Sequence, residues 1–113
     1  MTSPKLSPAV RALRASVGEA SQFLKKLANP DRLLVACALV DNELSVRQLE
    51  DSLGIRQPGL SQQLAELRTA GLIEGRKEGR EVFYRLADPR VRAIMETMHR
   101  LFCASETDGP PAT

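Results

Sequence analysis

Residues 45–71 read SVRQLEDSLGIRQPGLSQQLAELRTAG, and this stretch decides the fold. Ser45 stands three residues before Gln48, the pattern in which a helix-capping hydroxyl and a returning amide satisfy each other's backbone N–H groups. Gly54 ends the short helix that follows. Ile55-Arg56-Gln57 is a tight connection, and Pro58 opens a second helix that closes at Gly71. Two short helices joined by a glycine-containing turn of a few residues form a helix-turn-helix.

Outward from this motif, the punctuation repeats. Ser7-Pro8 and Asn29-Pro30 each place a capping side chain before proline at a first helical position. Behind the first come Val10, Leu13, Val17, Ala20, Leu24 and Leu27, in steps of three and four. That spacing makes one narrow apolar stripe on a long helix, suited to pairing with another helix. The helix after Asn29 runs to about Val40 and is apolar nearly all round, which predicts a central, buried position. Asp41-Asn42-Glu43 is a turn.

After Gly71 the period drops to two. Leu72 to Arg76 and Glu81 to Leu86 read as strands, with Lys77-Glu78-Gly79-Arg80 as the hairpin between them. Asp88-Pro89 starts a last helix, carried by Val91, Ile94, Met95, Met98, Leu101 and Phe102. The predicted fold is mainly α with a small β-hairpin, in the order α-α-α-α-β-β-α: a winged helix-turn-helix over residues 7–104, with disordered ends at 1–6 and 105–113.

Composition agrees and excludes much. The chain has 113 residues, 42% of them hydrophobic and 4% aromatic, so one domain with an aliphatic, helix-suited core is expected. A monomer this small gains from dimerisation. The apolar run from Leu33 to Val40 is far short of a membrane span, and no signal peptide is expected behind Met1-Thr2-Ser3-Pro4-Lys5. Two cysteines make no disulfide framework, and a cytoplasmic protein with reduced thiols is the expectation. One His, two separated Cys and no glycine-rich phosphate loop leave no catalytic constellation, so no enzyme and no cofactor is expected.

Function is legible on the second helix of the motif. Leu60, Leu64 and Leu67 share one face and must pack inward, which turns Gln62 outward with Ser61 and Gln63 beside it and Gln57 at the N-terminal end. Gln can pair bidentately with adenine in the major groove, and Ser suits several base edges. Arg56 precedes this face, and Arg76, Lys77 and Arg80 stand on the hairpin, where a wing meets backbone or minor groove. The net charge of the chain is only +2, but residues 56–92 hold eight basic residues against five acidic. A double-stranded DNA operator is the partner this pattern favours; a solvated surface or a winged-helix protein-interaction module is the alternative.

The stretch from Ser45 to Leu49 and from Arg56 to Arg68, continued by Ala70-Gly71-Leu72-Ile73 and Arg80-Glu81-Val82-Phe83-Tyr84-Arg85-Leu86, resembles the ArsR/SmtB family of bacterial winged-helix repressors. The resemblance implies a homodimer joined by the first and last helices, with two recognition helices on an inverted repeat, which the Gln and Ser side chains predict to contain A·T pairs. One departure is Gln63, where many members carry His; both can donate a hydrogen bond.

The family's metal sites are incomplete here, with Leu44, Ser45, Val46 and Arg47 near one location and only Asp88 and His99 near the other, so no metal ligand is assigned. Cys37 and Cys103 instead resemble the dithiol subgroup that responds to persulfides and related reactive sulfur species, and in some members to peroxide-type oxidants; this implies reactive sulfur or an oxidant as inducer. A metal- or metalloid-responsive repressor using the same thiols is the alternative. Without the family, Cys37 reads as a core filler sharing a face with Leu33 and Val40, and Cys103 as the more exposed thiol, near His99 and Arg100.

Overall fold

The computed structural model describes residues 4–107. Its elements are α1 (Pro8–Leu27), α2 (Pro30–Ala38), β1 (Leu44–Ser45), α3 (Val46–Leu53), α4 (Gly59–Thr69), β2 (Ile73–Glu78), β3 (Glu81–Leu86) and α5 (Pro89–Thr107). This is the expected winged helix-turn-helix, with one added strand. β1 is two residues long and pairs Leu44 with Tyr84 and Ser45 with Phe83, giving an antiparallel sheet in the order β1-β3-β2. The hairpin closes more tightly than expected: β2 runs on to Glu78, and only Gly79 and Arg80 turn the chain, Gly79 at a φ of 64°. A positive φ is cheap for glycine, and the two-residue loop fits the twist of paired strands.

The helix starts are local chemistry. Ser7 Oγ accepts from Val10 N at 3.2 Å. Asn29 Oδ1 accepts from the amides of Asp31 and Arg32 at 3.0 and 3.1 Å. Ser45 Oγ accepts from Gln48 N at 3.1 Å, while Gln48 Oε1 accepts from Ser45 N at 2.8 Å, a reciprocal capping box. Gly54 ends α3 in the left-handed region at a φ of 69°.

The core gathers Val35, Ala36 and Leu39 of α2, Leu49 of α3, Leu60, Leu64 and Leu67 of α4, Tyr84 of β3, and Val91 and Met95 of α5. α2 touches all four other helices. It is shorter than expected, ending at Ala38, and it is not buried all round: Leu34 and Cys37 are exposed. Nine residues make only two and a half turns, so the flank not covered by α4 faces a groove. α5 continues to Thr107, past the expected end at 104; the rest of the expected disordered C-terminal end, and residues 1–3, lie outside the described residues.

α1 contributes only Leu27 to this core. Its stripe residues Val10, Leu13, Val17 and Leu24 are each about half exposed, and on α5 Leu101 and Phe102 are 70% and 74% exposed. The helix partner that the stripe calls for is therefore not among the described residues.

Ser45 is 1% exposed, and no buried side-chain polar atom among the described residues lacks a hydrogen-bond partner. Ser45→Ala removes the acceptor and leaves the Gln48 amide without its capping partner. The expected loss is about 1–2 kcal/mol of unfolding free energy in urea denaturation of the reduced protein. A change below about 0.3 kcal/mol would mean that the capping box contributes nothing to stability.

Candidate functional site

Two surfaces concentrate the residues singled out in the sequence. On α4, the burial of Leu60, Leu64 and Leu67 sends Ser61 and Gln62 outward. Gln57 and Arg56, in the connection before the helix, are also exposed. Gln57 does not reach freely into solvent: its Oε1 accepts from Ser61 N at 3.0 Å and from Ser61 Oγ at 2.7 Å. The two side chains therefore hold each other at the leading end of α4. Gln62 makes no such bond and is the open side chain in the middle of the face.

Gln63 is half-buried and turned toward α2, where Arg32 Nη1 donates to its Oε1 at 2.7 Å. Arg32 also donates from Nε to the carbonyl of Lys26 at the end of α1. One turn along α4, Lys26 Nζ meets Glu66 Oε1 at 2.8 Å. This flank of α4 is fastened to the α1–α2 junction.

The wing brings Lys77 and Arg80 to the surface, and neither forms an ion pair among the described residues. Arg76 is placed differently. It donates from Nη2 and Nε to Glu43 at 2.7 and 3.0 Å, pairs with Glu78, and stacks over the Phe83 ring at 5.0 Å. The hydrogen bond from Arg76 holds the Glu43 carboxyl below the usual carboxylate range, so the pair stays charged at neutral pH. Arg76 thus fastens the wing to the turn before β1. Arg85 and Arg90 are likewise paired, with Glu74 and with Asp88 and Glu19. Among residues 56–92, Arg56, Arg68, Lys77, Arg80 and Arg92 keep unpaired charge within the described residues.

The second surface is a groove of about 420 Å³ between α2 and α5. Both cysteines line it, with an almost wholly apolar surround that includes Leu33, Leu34, Met98 and Phe102. Cys37 is exposed and Cys103 half-buried, the reverse of the order expected from sequence. The core-filler role for Cys37 does not hold, because α2 turns its Leu33 and Cys37 flank to the groove and buries Val35, Ala36 and Leu39 instead. His99 shares the groove, while Arg100 is engaged with Thr97 Oγ1 at 3.1 Å. Among the described residues, no group of three His, Cys, Asp or Glu converges as a metal-binding cluster. No described helix is long and apolar enough to cross a membrane.

Sequence reasoning passed over Arg32 and Glu43. Their partners lie 31 and 33 residues away, so no local pattern marks them. The one available signal was that Asp31-Arg32 are the only charges in an otherwise apolar α2.

Residues 29–75 match the family described as bacterial regulatory protein, arsR family. Over 95 residues the chain is 45% identical to the biofilm growth-associated repressor of Agrobacterium fabrum, an alignment covering 84% of this chain and 81% of that protein. It superposes on reduced HlyU from Vibrio cholerae with a TM-score of 0.77 at 44% identity, covering 82% of this chain and 98% of that one. On the transcriptional repressor BigR from Xylella fastidiosa the TM-score is 0.80 at 38% identity, covering 82% and 95%.

The exposure order has a direct readout. A bulky maleimide should modify Cys37 faster than Cys103 in the reduced protein, because access to the thiol limits the reaction at the half-buried site. Peptide mass spectrometry after short exposures measures the order. Faster modification at Cys103 would contradict it.

Proposed function

The chain belongs to the ArsR family of bacterial regulatory proteins, and we propose that it is a dimeric repressor that leaves its DNA operator when Cys37 and Cys103 become linked. The observation that carries this reading is that both thiols line one groove while neither stands on the exposed face of α4. A covalent link there can alter α4 only through the frame that supports it.

The DNA half of the proposal assigns base contacts to Gln62 and Ser61, with Gln57 and Gln63 beside them, and backbone contacts to Arg56, Lys77 and Arg80. Arg76 acts by holding the wing. The exposed stripe of α1 and the exposed Leu101 and Phe102 of α5 support pairing with a second copy. Two α4 helices must then stand about 34 Å apart to enter successive major grooves. The protein works by binding and release, with no catalytic step.

The sensing half follows thiol exchange. A persulfide R–S–SH transfers its outer sulfur to one cysteine thiolate, giving Cys–S–SH and releasing the thiol R–SH. The second thiolate attacks the inner sulfur, expels HS⁻ and closes a disulfide, so the sulfane sulfur takes up the two electrons. If both cysteines carry an extra sulfur, the terminal sulfur of one attacks the cysteine-bound sulfur of the other and expels HS⁻. That leaves a three-sulfur bridge, which spans more than the about 7 Å between Cα atoms that limits a direct disulfide. Either bridge ties α2, which packs on α3 and α4, to α5.

Replacing either cysteine with serine should leave operator affinity of the reduced protein nearly unchanged and abolish release by persulfide, since a bridge needs two ends. A Cys37→Ser protein that still releases DNA would sink the dithiol switch. On non-reducing gels the treated wild type should run at monomer size; a covalent dimer would point to Cys103 of two subunits instead.

The two kinds of DNA contact also separate. Gln62→Ala should relax discrimination at one base pair per half-site by roughly 1–3 kcal/mol. Arg80→Ala should weaken all sequences alike and make the salt dependence shallower, as loss of a phosphate contact requires.

A further inference from the structure

The bond between Arg32 and Gln63 fixes more than position. A guanidinium carries only donors and no acceptor. The end of the Gln63 amide that faces Arg32 at 2.7 Å must therefore be its oxygen, whichever way the amide would otherwise turn. Arg32 is itself held by the carbonyl of Lys26 and by its place in the first turn of α2. The opposite end of the amide, Nε2, makes no hydrogen bond within the described residues. Gln63 is half-buried, and no buried polar side-chain atom among those residues is left unpartnered. Nε2 is therefore open to solvent, on a residue about 100° around α4 from Gln62.

A free glutamine reads adenine with both ends of its amide at once, accepting from N6 and donating to N7. Gln63 cannot present both ends to a base while one is turned to Arg32. Resting on the DNA-binding reading above, we propose that Arg32 is a positioning residue that makes Gln63 a pure hydrogen-bond donor at the edge of the reading face. Its target is an acceptor edge without a competing donor: guanine N7 and O6 or thymine O4 in the major groove.

The test is selection of bound sites from a random-sequence DNA library by the reduced, full-length dimer, comparing wild type, Arg32→Ala, Arg32→Lys and Gln63→Met. The wild type should prefer an acceptor edge at one base pair of each half-site. Arg32→Ala frees the amide and should shift that one position toward adenine or erase its preference, a change of roughly tenfold, with other positions intact. Arg32→Lys restores the preference, because an ammonium also only donates. Gln63→Met keeps the length of the side chain without its donors, so it needs no help from Arg32 to fold. It should lose the same single preference, and this arm decides the matter if the alanine variant unfolds. Unchanged preferences in Arg32→Ala, or in Gln63→Met, overturn the proposal while leaving DNA reading in place. A wild type without any sequence preference overturns the DNA reading itself, and this proposal with it.

Discussion

Packing of α2 against every other helix is the constraint on which the structure depends. Val35 and Ala36 are fully buried, and α2 touches α1, α3, α4 and α5. Because interiors are close-packed, such a helix cannot move without moving its neighbours. α2 also carries the two features on which the proposed function rests, on different flanks. Arg32 fastens it to α4, and Cys37 opens onto the groove that it shares with α5. A displacement of α2 at the groove would therefore carry α4 with it through one rigid element.

The polar contacts divide by what they hold. Arg76, Arg85 and Arg90 spend their charge within the fold, and the exposed ones are worth little as stability. Their effect is geometric. Arg76 bridges Glu43 and Phe83, which sets the wing against the turn before β1. Lys77 and Arg80 are left at the tip as the wing cations without an ion pair among the described residues. A basic count taken over the sequence cannot separate these two groups, because it does not know which carboxylates come near.

What the sequence disclosed was local. The caps at Ser7, Asn29 and Ser45, and the stop at Gly54, depend on residues within four of one another, and each forms as expected. The inward leucines of α4 follow from helical period alone. What stayed hidden was non-local. β1 exists only through its pairing with Tyr84 and Phe83, and two residues carry no period of their own. The exposure of Cys37 depends on where α5 lies, and a helix apolar on all sides gives no hint of which flank will be left open. Gln63 looked like a free reader because Arg32 is distant in sequence.

The proposed switch requires that closing the bridge between α2 and α5 lower the affinity for DNA. It is tested most directly by titrating a labelled operator with one wild-type preparation, before and after persulfide treatment, with the intact mass of the same sample measured each time. Affinity should fall by roughly tenfold or more, the scale of a typical coupling between sites, in step with the fraction of chains carrying an internal bridge. Fully bridged protein that binds the operator as tightly as the reduced form would contradict it.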